Sequence, residues 1–136
     1  MIDDTYNANP ASVLAGAKVA VDMTEGEAWL ILGDLGELAG DANQVHAELG
    51  VQLKKLGINR LFTLGALSAN AAMAFYGNEN TQMSFTNFDE LKTELNKQLN
   101  LSDSIITLLV KGSRTSRMER VVDSVIQFNQ PIEGNQ

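Results

Sequence analysis

The chain has 136 residues, 44% of them hydrophobic, with a formal net charge of −7 and no cysteine. This length suits one domain with its own buried core, and the lack of cysteine excludes disulfides and thiolate metal sites. The negative charge argues against binding to nucleic acid or an anionic membrane, and from the lack of a long apolar run we expect neither a membrane span nor a secretory leader.

The first half of the chain alternates between strand-like and helix-like patterns. Residues 2–5 are typical of the end of a strand. Asn9-Pro10 is predicted to begin a helix, because proline needs no N–H at the first helical position. The spacing of the apolar residues extends this helix to about residue 23. An apolar run then predicts a buried strand at residues 28–32. After a loop with several glycines, apolar residues at helical spacing predict a helix that ends at Gly57.

The second half continues this alternation. We predict a strand at residues 60–64, a short Ala-rich helix at residues 67–75 and a strand at residues 82–85. Thr86 or Asn87 then caps a helix with a regular leucine face. Residues 104–110 are nearly all apolar and β-branched, which is typical of a strand covered on both faces.

The C-terminal part of the chain begins with a polar turn at residues 111–114, which leads into a last predicted helix. Its inner face is predicted to carry Met118, Val121, Val122, Val125 and Ile126. Residues 130–136 are expected to form a flexible tail, so the domain is predicted to cover residues 1–129. Together these elements predict an α/β, Rossmann-like fold with a mainly parallel sheet of about five strands and helices on both faces.

The loops that follow the predicted strands contain the unusual polar residues. They span residues 4–9, 33–40, 65–68 and 111–116. Loops after the strand ends of a parallel sheet share one edge, where ligands bind. Glycine, Asn and Asp also populate such loops as turn formers and helix caps, so each loop alone has a purely structural alternative.

In combination, these loops resemble the C-terminal domain of the Mur ligases. The matching motifs are Asp-Asp-Thr-Tyr-Asn-Ala-Asn-Pro at residues 3–10, Leu-Gly-Asp-Leu-Gly-Glu-Leu at residues 32–38, His46, and Val-Lys-Gly-Ser-Arg at residues 110–114. The Tyr-Asn-Ala-Asn-Pro and Lys-Gly-Ser-Arg versions favour the branch that adds D-alanyl-D-alanine to UDP-N-acetylmuramoyl-tripeptide (UDP-MurNAc-tripeptide) in peptidoglycan synthesis.

The resemblance implies a cytoplasmic, ATP-dependent ligase in three domains. An N-terminal domain would hold the UDP-sugar, and a central domain would hold the phosphates of ATP and Mg²⁺, since this chain has no phosphate-binding P-loop motif. The chain is therefore expected to be a fragment whose partners include its own N-terminal and central domains. By itself it is expected to catalyse nothing, and it offers no metal site.

The same resemblance implies two groups of site residues. ATP contacts are expected from Asp4, Tyr6, Asn7 and Asn9. Asp4 and Asn9 have an alternative role as caps of the first helix. The D-alanyl-D-alanine site is expected to include Lys111, Gly112, Ser113, Arg114, Asp34, Glu37 and Ser68.

Three alternatives remain open. Glu37 also suits a solvated acidic loop. His46 lies within a helix behind the second loop, which favours a hydrogen-bonded structural histidine over a catalytic one. The whole chain also suits a stand-alone nucleotide-binding or protein-interaction module, although the usual G-x-G-x-x-G fingerprint is missing.

Overall fold

The computed structural model describes residues 9–36, 38, 40–77 and 82–112, together with the backbone of residues 125–128. Within these ranges the helices are α1 (Pro10–Met23), α2 (Ala42–Leu56), α3 (Ala69–Tyr76) and α4 (Phe88–Leu101). The strands are β1 (Glu27–Gly33), β2 (Arg60–Leu64), β3 (Ser84–Phe85), β4 (Ile106–Lys111) and β5 (Val125–Phe128).

The five strands form one sheet in the order β3-β2-β1-β4-β5. The first four run parallel, and β5 is antiparallel to β4. The chain moves outward from β1 to β2 and β3, then returns to place β4 on the other side of β1. This reversal creates a switch point between β1 and β4, where the loops at the carboxyl ends of the strands diverge and leave a crevice.

Helices cover both faces of the sheet, as the sequence predicts. On one face, α1, α2 and α3 pack over side chains such as Leu30 and Leu61. On the other face, α4 packs through Leu91 and Leu95 over a cluster that includes Trp29. Alternate residues of β1 therefore serve opposite cores, which explains why the strand is apolar along its length.

Local signals at the helix ends are confirmed in the structure. The Asn9 side chain accepts a hydrogen bond from the Ser12 N–H, and Pro10 occupies the first turn of α1. Asn87, rather than Thr86, caps α4. Gly57 ends α2 with φ of 106°, a left-handed conformation that favours glycine.

The prediction of a last helix through Val125 and Ile126 is wrong. Val125–Phe128 forms strand β5, paired with the outer side of β4 from Ile106 to Leu109. The apolar spacing suits a helix, but this segment is also β-branched and aromatic, and pairing satisfies the backbone edge of β4. The predicted strand at residues 2–5, the rest of the predicted last helix and the predicted tail lie outside the described residues.

Candidate ligand-binding site

The two central motifs of the predicted site lie side by side at the switch point. In the pairing of β1 with β4, Leu32 is opposite Lys111, so the loops that start at Asp34 and at Gly112 leave the sheet next to each other. These loops flank the crevice in which doubly wound sheets bind ligands. Residues far apart in the sequence are thereby brought to one edge.

Lys111 is the last residue of β4 and is only 5% exposed. Its side chain lies on the face covered by α1, because a β-carbon added to Gly16 would be 3.2 Å from Lys111 Cε. The stem of this lysine therefore packs beneath the helix. Gly16 is not among the residues predicted from the sequence, although a glycine inside a helix can indicate close packing.

Asn9 lies on the same side of the molecule. Since Gly16 is level with the end of β4, and Pro10 precedes it by six residues at 1.5 Å each, α1 begins about 9 Å beyond the strand end. Asn9 and Ser12 form a reciprocal capping box there. The alternative role of Asn9 as a helix cap is thus confirmed, and its predicted contact with ATP stays a prediction.

Asp34 joins two of the predicted loops. Its carboxylate accepts the Ser68 N–H at 2.7 Å and the Leu67 N–H at 3.3 Å, where the chain enters α3. A β-carbon at Gly65 would collide with this carboxylate, and Gly65 has φ of 122°. The sequence identified Asp34 and Ser68 as site residues, but it did not indicate that they contact one another.

Ser68 and His46 are both fully buried behind these loops. Ser68 Oγ donates to the Gly65 carbonyl oxygen at 3.4 Å. The His46 ring contacts the Ala42 carbonyl oxygen through Nδ1 and the Leu35 N–H through Nε2. The predicted hydrogen bonding of His46 is confirmed, and its structural rather than catalytic role stays a prediction.

The remaining predicted site residues lie outside the described residues. They are Asp4, Tyr6, Asn7, Glu37, Ser113 and Arg114. Their assignments stay predictions, carried by the sequence. Gly112, which precedes Ser113, is described and is buried beside the switch point.

An open groove lies elsewhere, between β3 and the first turns of α4. It has a volume of about 370 Å³ and is lined by Phe85, Asp89, Glu90, Thr93 and Glu94. Its three carboxylates make it a poor site for phosphate or carboxylate ligands.

No cluster of three His, Asp or Glu side chains that would hold a metal ion occurs among the described residues. Nor do the described helices include one long and apolar enough to cross a membrane.

An α/β sheet with this strand order belongs to the doubly wound class, whose members bind ligands beside the switch point. Residues 1–114 match the family described as Mur ligase, glutamate ligase domain, and the chain belongs to that family. Solved structures agree: MurF from Acinetobacter baumannii superposes with a TM-score of 0.71 at 34% identity, over 88% of this chain and 26% of that one.

Similar relatives are named UDP-N-acetylmuramoyl-tripeptide--D-alanyl-D-alanine ligase. That of Escherichia coli is 36% identical over 122 residues, which are 90% of this chain and 26% of the relative. That of Buchnera aphidicola is 35% identical over 127 residues, which are 93% of this chain and 27% of the relative. The chain therefore spans about a quarter of the length of these relatives.

Proposed function

We propose that this chain is the C-terminal domain of an ATP-dependent ligase that joins D-alanyl-D-alanine to UDP-MurNAc-tripeptide in peptidoglycan synthesis. The observation that carries the proposal is the meeting of the Leu-Gly-Asp and Lys-Gly motifs at one switch point, in the family whose relatives have this activity in their names. The matched share, about nine-tenths of this chain, includes both motifs.

The proposal assigns the other steps of the reaction to the N-terminal and central domains. ATP supplies the phosphoryl group that activates the tripeptide carboxylate, and Mg²⁺ and the phosphate loop belong to the central domain. Alone, this chain is expected to be inactive. We propose a cytoplasmic enzyme, because ATP and UDP-linked substrates are cytoplasmic. The net charge of −7 gives no reason to expect nucleic acid or membrane partners.

The dipeptide site is proposed at the loops of β1 and β4. D-alanyl-D-alanine has a carboxylate at one end and an amine at the other. Arg114 suits the carboxylate because a guanidinium donates two parallel hydrogen bonds, and Lys111 adds a second cation. Gly112 and Ser113 offer close backbone approach. Ser68 is buried and already hydrogen-bonded to Asp34 and Gly65, so its proposed part is to hold the loop after β2 beside the loop after β1.

The acidic residues of the facing loop, Asp34 and Glu37, are proposed to act on the amine end. Asp34 has its carboxylate directed at the Leu67 and Ser68 N–H groups. These hydrogen bonds fix the position of its charge beside the crevice. The structure therefore supports two roles for Asp34: its negative charge attracts the dipeptide amine, and its hydrogen bonds hold the two loops together.

The nucleotide site is proposed on residues Asp4, Tyr6, Asn7 and Asn9. The carboxylate of Asp4 suits the ribose hydroxyls, and the ring of Tyr6 offers a packing surface to the adenine. The start of α1 beyond the sheet edge supports this placement, because Asn9 is the described end of that segment. Asp4→Ala and Asn7→Ala are expected to raise the KM for ATP.

The dipeptide assignment is tested in the full-length ligase that contains this chain, by phosphate release against D-alanyl-D-alanine concentration. Arg114→Ala is expected to raise the KM for the dipeptide by about 10- to 100-fold, the worth of a hydrogen bond to a charged group. Lys111→Met is expected to raise it about 10-fold while keeping the stem packed against Gly16.

A matched control is Lys18→Met on α1. Lys18 is an exposed cation paired with Asp22, so its loss changes the net charge equally without changing the crevice. Unchanged dipeptide KM values in both site variants would refute the dipeptide assignment. If the wild-type enzyme shows no dipeptide-dependent phosphate release, the ligase proposal itself is wrong.

A further inference from the structure

Hydrogen bonds connect α2, the two loops at the carboxyl edge and α3 in a closed ring. We name this set the loop ring. Its members lie in these four elements, and four of its five hydrogen bonds have a backbone group at one end. They are Asp34, Leu35, Asn43, His46, Leu67, Ser68 and Asn70.

His46 joins α2 to the loop after β1. Its Nε2 lies 3.1 Å from the Leu35 nitrogen, and its Nδ1 lies 2.7 Å from the Ala42 carbonyl oxygen. A carbonyl only accepts and a backbone N–H only donates, so the proton is on Nδ1 and Nε2 is the acceptor. The neutral imidazole with this tautomer is the form that satisfies both partners. Leu35 is itself buried, so loss of the His46 ring removes the acceptor of a buried N–H donor, which is costly.

Asp34 continues the ring to the next loop. Asp34 directly precedes Leu35 in the chain, and its carboxylate accepts hydrogen bonds from the Leu67 and Ser68 N–H groups. The Asn70 amide nitrogen then donates to the Leu67 carbonyl oxygen at 3.0 Å and to Asn43 Oδ1 at 2.8 Å. Asn43 lies on α2, three residues before His46, and so the ring closes.

We propose that His46 is a positioning residue for the dipeptide: through Leu35 and Asp34 it holds both carboxyl-edge loops in their binding geometry before the ligand arrives. This inference rests on the proposed function for the identity of the ligand. His46 touches no reacting group. Because Asp34 adjoins Leu35, loss of the Leu35 hydrogen bond loosens the backbone that carries the Asp34 carboxylate and weakens its hold on Leu67 and Ser68, and the binding energy of the dipeptide must then order both loops.

Two substitutions separate the two hydrogen bonds of His46. His46→Gln places an amide oxygen at the position of Nε2, where it accepts the Leu35 N–H. His46→Asn places its amide at the position of Nδ1, where it keeps the Ala42 contact and loses Leu35. The Asn variant is expected to raise the dipeptide KM of the full-length ligase about 10-fold and to change kcat less than threefold, roughly the effect of one buried hydrogen bond. The Gln variant is expected to stay within about threefold of wild type in both.

Hydrogen exchange of the 136-residue chain tests the ring without any ligand. In His46→Asn, the amides of Leu35, Leu67 and Ser68 are all expected to exchange about 10-fold faster, because the opening is shared. Lys18→Met is the control: it removes an exposed ion pair with Asp22 on α1, away from the ring, and is expected to leave these three amides and the dipeptide KM unchanged.

The outcomes distinguish this inference from the proposed function. Faster exchange at Leu35 alone would show that the loops are not coupled. A dipeptide KM equal to wild type in His46→Asn, or equal losses in the Gln and Asn variants, would show that the role of His46 is only structural. A wild-type ligase without dipeptide-dependent activity would instead refute the proposed function, and the exchange result would still decide the coupling.

Discussion

The Tyr76 hydroxyl replaces strand pairing at the edge of β2. It accepts the Leu61 N–H and donates to the Leu61 carbonyl oxygen, both at 2.9 Å. Strand β3 has only two residues and pairs with Thr63 and Leu64, so it does not reach Leu61. Without the hydroxyl, two backbone groups of a buried residue would have no partner in the sheet.

We therefore expect Tyr76→Phe to lower the free energy of unfolding by about 2 kcal/mol, because the ring packing is kept and the two hydrogen bonds are lost. Urea unfolding of the chain at pH 8, followed by circular dichroism, measures this loss. A change below about 0.5 kcal/mol would show that water or a backbone shift satisfies Leu61 in the variant.

The same residue predicts a pH dependence at alkaline pH. Burial raises the pKa of Tyr76 above its ordinary value of 10.0, an effect partly offset by the Leu61 hydrogen bond and the charge of Arg60. The unfolded chain therefore ionises this tyrosine first, so its stabilising contribution is complete below pH 10 and falls as the pH rises toward the folded pKa. Unfolding free energies of wild type and Tyr76→Phe are expected to converge above pH 10. A constant difference over that range would contradict the assignment.

Among the elements, two helical glycines have different reasons for being small. A β-carbon at Gly50 on α2 would collide with the Ala71 backbone carbonyl on α3. A β-carbon at Gly16 on α1 would instead meet the ends of the Leu109 and Lys111 side chains at 3.2 Å. A clash with the Ala71 backbone is relieved only if a whole helix moves, whereas the ends of side chains can rotate away from an added methyl group.

Gly50→Ala is expected to cost about 1–3 kcal/mol of stability, because α2 and α3 must separate. Gly16→Ala is the matched control, since the gain in helix propensity of about 1 kcal/mol offsets a small repacking cost. Chemical denaturation of the two variants provides the comparison. Equal changes in the free energy of unfolding in the two variants would contradict the expected clash between Gly50→Ala and the backbone of α3.

Element identity was predictable where the signal is local. Asn9-Pro10, Asn87 and Gly57 act on their own turns, so the starts of α1 and α4 and the end of α2 follow from the sequence. Strand β5 was mispredicted because its pairing with β4 depends on residues distant in the sequence. The polar loops of the site were found, but the contacts of His46 with Leu35 and of Asp34 with Ser68 depend on strand order, which periodicity does not encode.

At the scale of the whole molecule, the sheet order decides where a ligand is expected. The loops of β1 and β4 flank the switch point, and Lys111 and Gly112 lie there. The groove beside β3 and α4 lies two strands away from β1. If about three-quarters of the relatives' length supplies the rest of the site, the isolated chain lacks most ligand contacts. Its affinity for the dipeptide is then expected to be weak, because a domain that supplies only part of the binding site provides few contacts and little preorganisation.

Titration of the isolated chain with D-alanyl-D-alanine, followed by amide chemical shifts, tests this geometry. We expect a Kd weaker than about 1 mM and shift changes concentrated at Gly33, Asp34 and Gly112. The amides of Glu27 and Arg60, at the opposite ends of β1 and β2, serve as internal controls and are expected not to move. Shifts centred on Glu90 and Thr93 would place the ligand in the α4 groove instead. Since both regions belong to the same folded chain, the pattern of shifts discriminates between them even when binding is too weak to saturate.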